Sequence, residues 1–144
     1  MYRKLPTTAP NYYPVCMHSQ CPKAGSCLHR IALDMLIGRT DYMRLLNPNH
    51  CTADDSCPHY RCSDPVRYAR GFASFQAHMY PQQYESFKNA LIRRFSRNSY
   101  YIRRRGEVAM TPNEQTVVLK TLKRVGVTEQ LSFDSYEDAP NWDD

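Results

Sequence analysis

The chain has 144 residues, a formal net charge of +5, six cysteines, ten prolines and eleven tyrosines. A chain of this length buries roughly two-thirds of its unfolded surface, enough for an ordinary core, so size alone does not demand cross-links. No stretch approaches the roughly 20 apolar residues of a membrane span, and MYRKLPTTAP has no apolar run behind its basic residues, so the expectation is a cytoplasmic protein with no membrane partner.

In chain order, residues 1–15 read as loop or extended chain, and the first cysteines follow. Ser26 reads as an N-cap, with Leu28, Ile31, Ala32, Met35 and Leu36 at helical spacing and Gly38 to close the helix. This places Cys27 in a first helical turn. Tyr42 to Leu46, before Asn47-Pro48, reads as extended, and the second group of cysteines lies in a loop rich in Thr, Asp, Ser and Pro.

Val66 to Phe72 reads as a short strand and Ala73 to Met79 as a turn or two of helix. Pro81 opens a helix to about Arg97 whose inner face carries Tyr84, Phe87, Leu91 and Phe95. Tyr100 to Arg105, Gly106-Glu107 and Val108 to Met110 read as a β-hairpin. Thr111-Pro112-Asn113-Glu114 is a capping box for a helix that Gly126 ends, and Leu131, Phe133, Tyr136 and Trp142 predict that the acidic tail packs back. The fold class is therefore α+β: a small single domain over 1–144, with a cysteine-rich half over 1–65 and a helix, hairpin, helix half over 66–144.

All six cysteines fall within 47 residues, as Cys16, Cys21 and Cys27 and then Cys51, Cys57 and Cys62. The intervals mirror each other, four and five residues, then five and four. In a reducing compartment such a group favours metal ligation over disulfides. A structural zinc ion takes four ligands, and short loops between thiolates wrap it at little ordering cost. Intervals of four and five are longer than those of common zinc knuckles, and buried unligated thiols and disulfides are the competing readings. An iron-sulfur cluster is disfavoured by the absence of ferredoxin-type spacing, and a redox dithiol by the absence of C-x-x-C. His18, His50 and His59 lie beside cysteines and can each replace a thiolate.

The run from Cys16 through Cys21-Pro22 to Cys27-Leu28, the pair Asn47-Pro48, the stretch Cys57-Pro58-His59-Tyr60 and the ending SFDSYEDAPNW resemble a family of small proteins of unknown function from Bacteroidales. The resemblance spans nearly the whole chain and implies no activity. It does imply a preferred ligand set of Cys16, Cys21, Cys27 and Cys57, leaving Cys51 and Cys62 in reserve, with His59 and His18 as further reserves by their position beside cysteines.

Charge is unevenly spread. Seven basic and no acidic residues lie between Ser86 and Arg105, whereas six acidic residues and no Lys or Arg follow Gly126. Arginines mixed with tyrosines suit phosphate contact and base stacking. Strand alternation would put Tyr101, Arg103 and Arg105 on one face; Arg93 and Arg97, one helical turn apart, join that patch only if helix and hairpin pack suitably. The competing readings are a solvated edge strand and neutralisation by the acidic tail.

No phosphate-binding glycine loop, dinucleotide fingerprint, zincin helix or nucleophile elbow is present. The sequence thus points to a non-enzymatic, zinc-stabilised binding module with nucleic acid preferred as partner. The alternative is a protein-interaction or regulatory module whose arginines meet an acidic surface. A third reading is a metal- or thiol-dependent enzyme using Cys57 and His59.

Overall fold

The computed structural model of the protein describes residues 2–143. Its architecture is α+β. Helices α1 (Leu28–Leu36), α2 (Pro81–Phe95), α3 (Arg97–Arg104) and α4 (Pro112–Arg124) accompany strands β1 (Val66–Arg70) and β2 (Ser135–Ala139), with 3₁₀ turns at Pro48–His50 and Ala73–His78. The chain divides into two compact units, one of residues 2–5 and 66–139, the other of residues 6–65 and 140–143. Among the described residues no helix is long and apolar enough to cross a membrane.

In the unit of residues 6–65 and 140–143, α1 buries Leu28, Ala32, Leu33 and Leu36 at the three- and four-residue intervals of an amphipathic helix. They meet Ala9, Tyr13, Val15 and Trp142. The Tyr13 ring stacks on His29 at 4.9 Å and meets Trp142 edge-on at 5.0 Å. The predicted N-cap falls one residue early. Cys27 is the N-cap, and the Ser26 hydroxyl instead bonds Tyr60 Oη at 3.0 Å.

In the other unit, β1 pairs antiparallel with β2, from Val66 opposite Ala139 to Arg70 opposite Ser135. The acidic tail thus packs back as a strand, with Phe133 buried and Tyr136 under the Arg67 guanidinium at 4.1 Å. The core gathers Phe72, Phe75, Phe87, Leu91, Tyr100, Met110, Val118 and Leu122. Thr111 and Glu114 form the expected capping box, and Pro112 takes the first helical position. Gly126 closes α4 at φ +98, where its N–H donates to Lys123 O and that of Val127 to Leu122 O.

The expected hairpin over Tyr100 to Met110 does not form; its first half is α3. Ser96, at φ +80, ends α2, and its hydroxyl accepts the Ser99 N–H to start α3. Gly106, at φ +81, donates to Arg103 O while Glu107 donates to Ile102 O, a helix C-terminal motif in place of a hairpin turn. Arg-Arg-Arg-Gly carries that signal, since cations suit the last turn of a helix and glycine the position after it. Burial decides between the two readings: the helix sends Tyr100 fully into the core, edge-on to Phe72 at 5.7 Å.

β1 ends where Gly71 adopts φ +79. A Cβ there would stand 2.3 Å from Asp134 Oδ2, and Asp134 N–H donates to Gly71 O at 2.9 Å. Gly71→Ala is expected to cost about 1–3 kcal/mol in urea unfolding, from left-handed strain and the clash together. Asp134→Ala in that background should recover only part of the loss, because the strain stays.

Just before it, Arg70 is 4 % exposed. Its Nε donates to Glu137 Oε1 at 2.9 Å, and its terminal nitrogens donate to the carbonyls of Gly106, Glu107 and Arg3. Glu137→Gln is expected to lower stability by about 1.5–3 kcal/mol, the usual worth of a charge-assisted bond, measured in the same unfolding assay.

Candidate metal centre and basic surface

The loops carrying the cysteines are ordered by short backbone turns. Cys16 N–H donates to His29 O at 3.0 Å, Ala24 N–H to Cys21 O at 3.0 Å, and Tyr60 N–H to Cys57 O at 3.3 Å. Asn47 caps the 3₁₀ turn that delivers Cys51. Asp54 then clasps the loop, accepting from the Thr52 hydroxyl at 2.6 Å and from the Ser56 hydroxyl at 2.7 Å. These bonds favour its ionised form and hold its carboxyl below the usual carboxylate range.

The result is a cavity of about 20 Å³ walled by Cys16, Cys21, Cys27, Cys51 and Cys57. That is room for a single small ion or one water molecule. His18 and His59 also line it. All four thiols of the preferred ligand set are therefore in its wall. Cys51, held in reserve by the sequence reading, is the most buried cysteine, at 7 % exposed. Its thiol is pushed up to about 11, first by burial and then by its neighbours Cys16 and Cys57. Cys62 is exposed and lies outside the wall.

The thiols share the cavity without converging in it. Among the described residues, no three His, Cys, Asp or Glu side chains are grouped so as to hold an ion as they stand. To ligate an ion, the thiols lining the cavity would have to draw closer together. The donor set itself suits zinc, a borderline-soft ion bound by thiolate and imidazole.

The histidines differ in role. His29 is buried, and its Nδ1 bonds Pro14 O at 2.7 Å. Burial lowers its pKa, so it is a neutral core residue stacked on Tyr13. His18 Nε2 lies 3.4 Å from Pro48 O. His78 pairs with Glu129 at 2.9 Å in the other unit.

The basic patch expected on a strand face is not assembled, because α3 replaces the strand. Arg103 is turned inward: it pairs with Glu114 at 2.6 Å and lies 5.0 Å over the Phe95 ring. Arg105 pairs with Glu107 at 3.2 Å, holding that carboxyl down to about 2. Tyr101 packs against the core with Arg97 5.6 Å above its ring. Only Arg93 of the expected set opens onto a shared surface. It lines a groove between α2 and α4 with Arg94, Lys120 and Arg124, over a floor of Ala90, Val117 and Thr121. The groove continues past Arg124 to Ser86, Gln83 and Gln82. Sequence reading missed this cluster because its cations come from two separate helices, with α3 between them in the chain. Their helical spacing was legible, but the pairing of the two helices was not.

No curated protein and no solved structure matches the chain. Residues 1–142 match a protein family described as a family of unknown function (DUF6078). The match takes in both units, thiol cavity and basic groove alike, and the chain is a member of that family.

Proposed function

We propose that the protein is a non-enzymatic binding module, with one unit stabilised by zinc and the other binding nucleic acid. The observation that carries the zinc reading is that five of the six thiols wall one ion-sized cavity. Cys16, Cys51 and Cys57 are the preferred ligands, because Cys51 interacts with the other two, and Cys21 or Cys27, both in the wall, completes the set. Burial, with Cys16 and Cys57 alongside, opposes the Cys51 thiolate; a divalent cation reverses that balance, so binding releases protons and weakens as pH falls. Zinc in this place would tie the two cysteine loops together, a structural role that leaves any partner to the other unit.

Protein purified without added metal should carry about one zinc per chain, and Cys51→Ser should lose it together with thermal stability. Cys62→Ser should keep both. A folded, metal-free protein would sink the zinc reading.

The nucleic-acid reading rests on Arg93, Arg94, Lys120 and Arg124, all exposed, which gather four cations on one groove with no acidic residue in its lining among the described residues. A phosphate backbone supplies anions at regular intervals along such a groove, and neutral Gln82, Gln83 and Ser86 extend it with hydrogen-bonding groups. Fluorescence anisotropy with a labelled single-stranded oligonucleotide should show affinity falling linearly with salt on logarithmic axes. Arg93→Ala and Lys120→Ala should each shallow the slope by about 0.7–0.9, the share of one phosphate contact. Arg103→Ala should destabilise the fold and leave the slope unchanged. Absence of binding at low salt, with capture of an acidic peptide instead, would favour the protein-interaction reading.

A further inference from the structure

The backbone sets Cys27 and Cys62 directly opposite each other in an antiparallel bridge. Leu28 N–H donates to Arg61 O at 2.7 Å, and Ser63 N–H donates to Ser26 O at 2.9 Å. These two bonds flank the pair and do not join it, so Cys27 and Cys62 occupy a non-hydrogen-bonded site. At such a site the two Cα atoms stand about 4.5 Å apart and both side chains leave the same face of the ladder. A disulfide requires a Cα separation of about 4.4–6.8 Å, so the register already provides it without backbone movement. Position 62 is exposed, and Asp64 N–H donates to its Sγ at 3.5 Å. Cys62 is therefore accessible to an oxidant.

We propose that Cys27 and Cys62 are a redox-active pair that forms a reversible cross-strand disulfide with a small-molecule disulfide such as oxidised glutathione as the oxidant. The Cys62 thiolate attacks one glutathione sulfur, and a glutathione thiolate leaves. The Cys27 thiolate then attacks the Cys62 sulfur of the mixed disulfide, expelling the second glutathione. Two protein thiols give up two protons and two electrons, and one glutathione disulfide becomes two glutathione molecules. The product pins the start of α1 to the chain that follows the second cysteine loop, closing the segment between them and restricting the unfolded state. The pair shares only Cys27 with the cavity wall: Cys62 lies outside it, and Cys16, Cys21, Cys51 and Cys57 are not consumed.

The test uses the full reduced chain, exposed to oxidised glutathione with and without a zinc chelator, quenched by alkylation and digested with trypsin. The peptide AGSCLHR, holding Cys27, should be found joined to CSDPVR, holding Cys62, as the main disulfide in both arms. The oxidised protein should melt at a higher temperature than the reduced one, and dithiothreitol should reverse the shift. Cys27→Ser should stop at a glutathione adduct on Cys62, and Cys62→Ser should yield no linked pair. The same oxidation in strong urea should scramble the pairing. A glutathione adduct that persists on Cys62 of the unmutated chain, or a main disulfide joining Cys51 to Cys16 or Cys57, would overturn the proposal. Zinc content measured in the same samples reports on the metal reading separately, so either can fail without the other.

Discussion

The unit that carries the basic groove is organised around one buried guanidinium. Arg70 is taken out of water at the end of β1, and a desolvated charge persists only where its donors are satisfied. It draws on three separated stretches to do so: Glu137 on β2, the carbonyls of Gly106 and Glu107 after α3, and the carbonyl of Arg3. The Tyr2 ring lies 3.9 Å from the guanidinium carbon. The strand pairing, the end of α3 and the N-terminal segment are thereby held to a single point. Since α3 ends there, Tyr100 enters the core and Arg103 reaches Glu114. The planar fork of arginine suits this convergence of carboxylate and carbonyls; a lysine has no such geometry.

The same constraint explains why a segment with +7 charge presents less free cation than its composition suggests. Arg103 and Arg105 are paired with glutamates, and Arg97 sits over Tyr101. What remains exposed on a shared surface is the α2 end of the run, Arg93 and Arg94, completed by Lys120 and Arg124 of α4. The acidic tail is also used locally, with Glu137 on Arg70 and Asp134 beside Gly71. Counting charges along the chain identified an imbalance; side-chain partners decided where it acts.

In the cysteine-rich unit, two different geometries act on one residue type. A packed turn buries Cys51 among thiols, and a two-bond bridge sets Cys62 against Cys27 at the surface. The mirrored intervals did not distinguish them, because interval length says how far apart two residues are along the chain and nothing about which loops lie side by side.

Local chemistry was legible wherever a short-range rule decided the outcome. Thr111, Pro112 and Glu114 specified the start of α4, Pro81 that of α2, and the apolar spacing of Leu28, Ala32 and Leu36 the inward face of α1. Tyr100 to Arg105 failed that test because aromatic residues suit strands while Arg-Arg-Arg-Gly suits a helix end, and burial of Tyr100 settled the conflict. β2 was legible only as an apolar rhythm within an acidic tail, since its partner β1 lies nearly seventy residues earlier. The sequence by itself determined the α+β class and most helix boundaries, consequences of neighbours within a few residues. Only the tertiary structure decided which arginines are spent inside the fold, which cysteines face one another and which helices build the groove, because those depend on contacts between segments that no local spacing encodes.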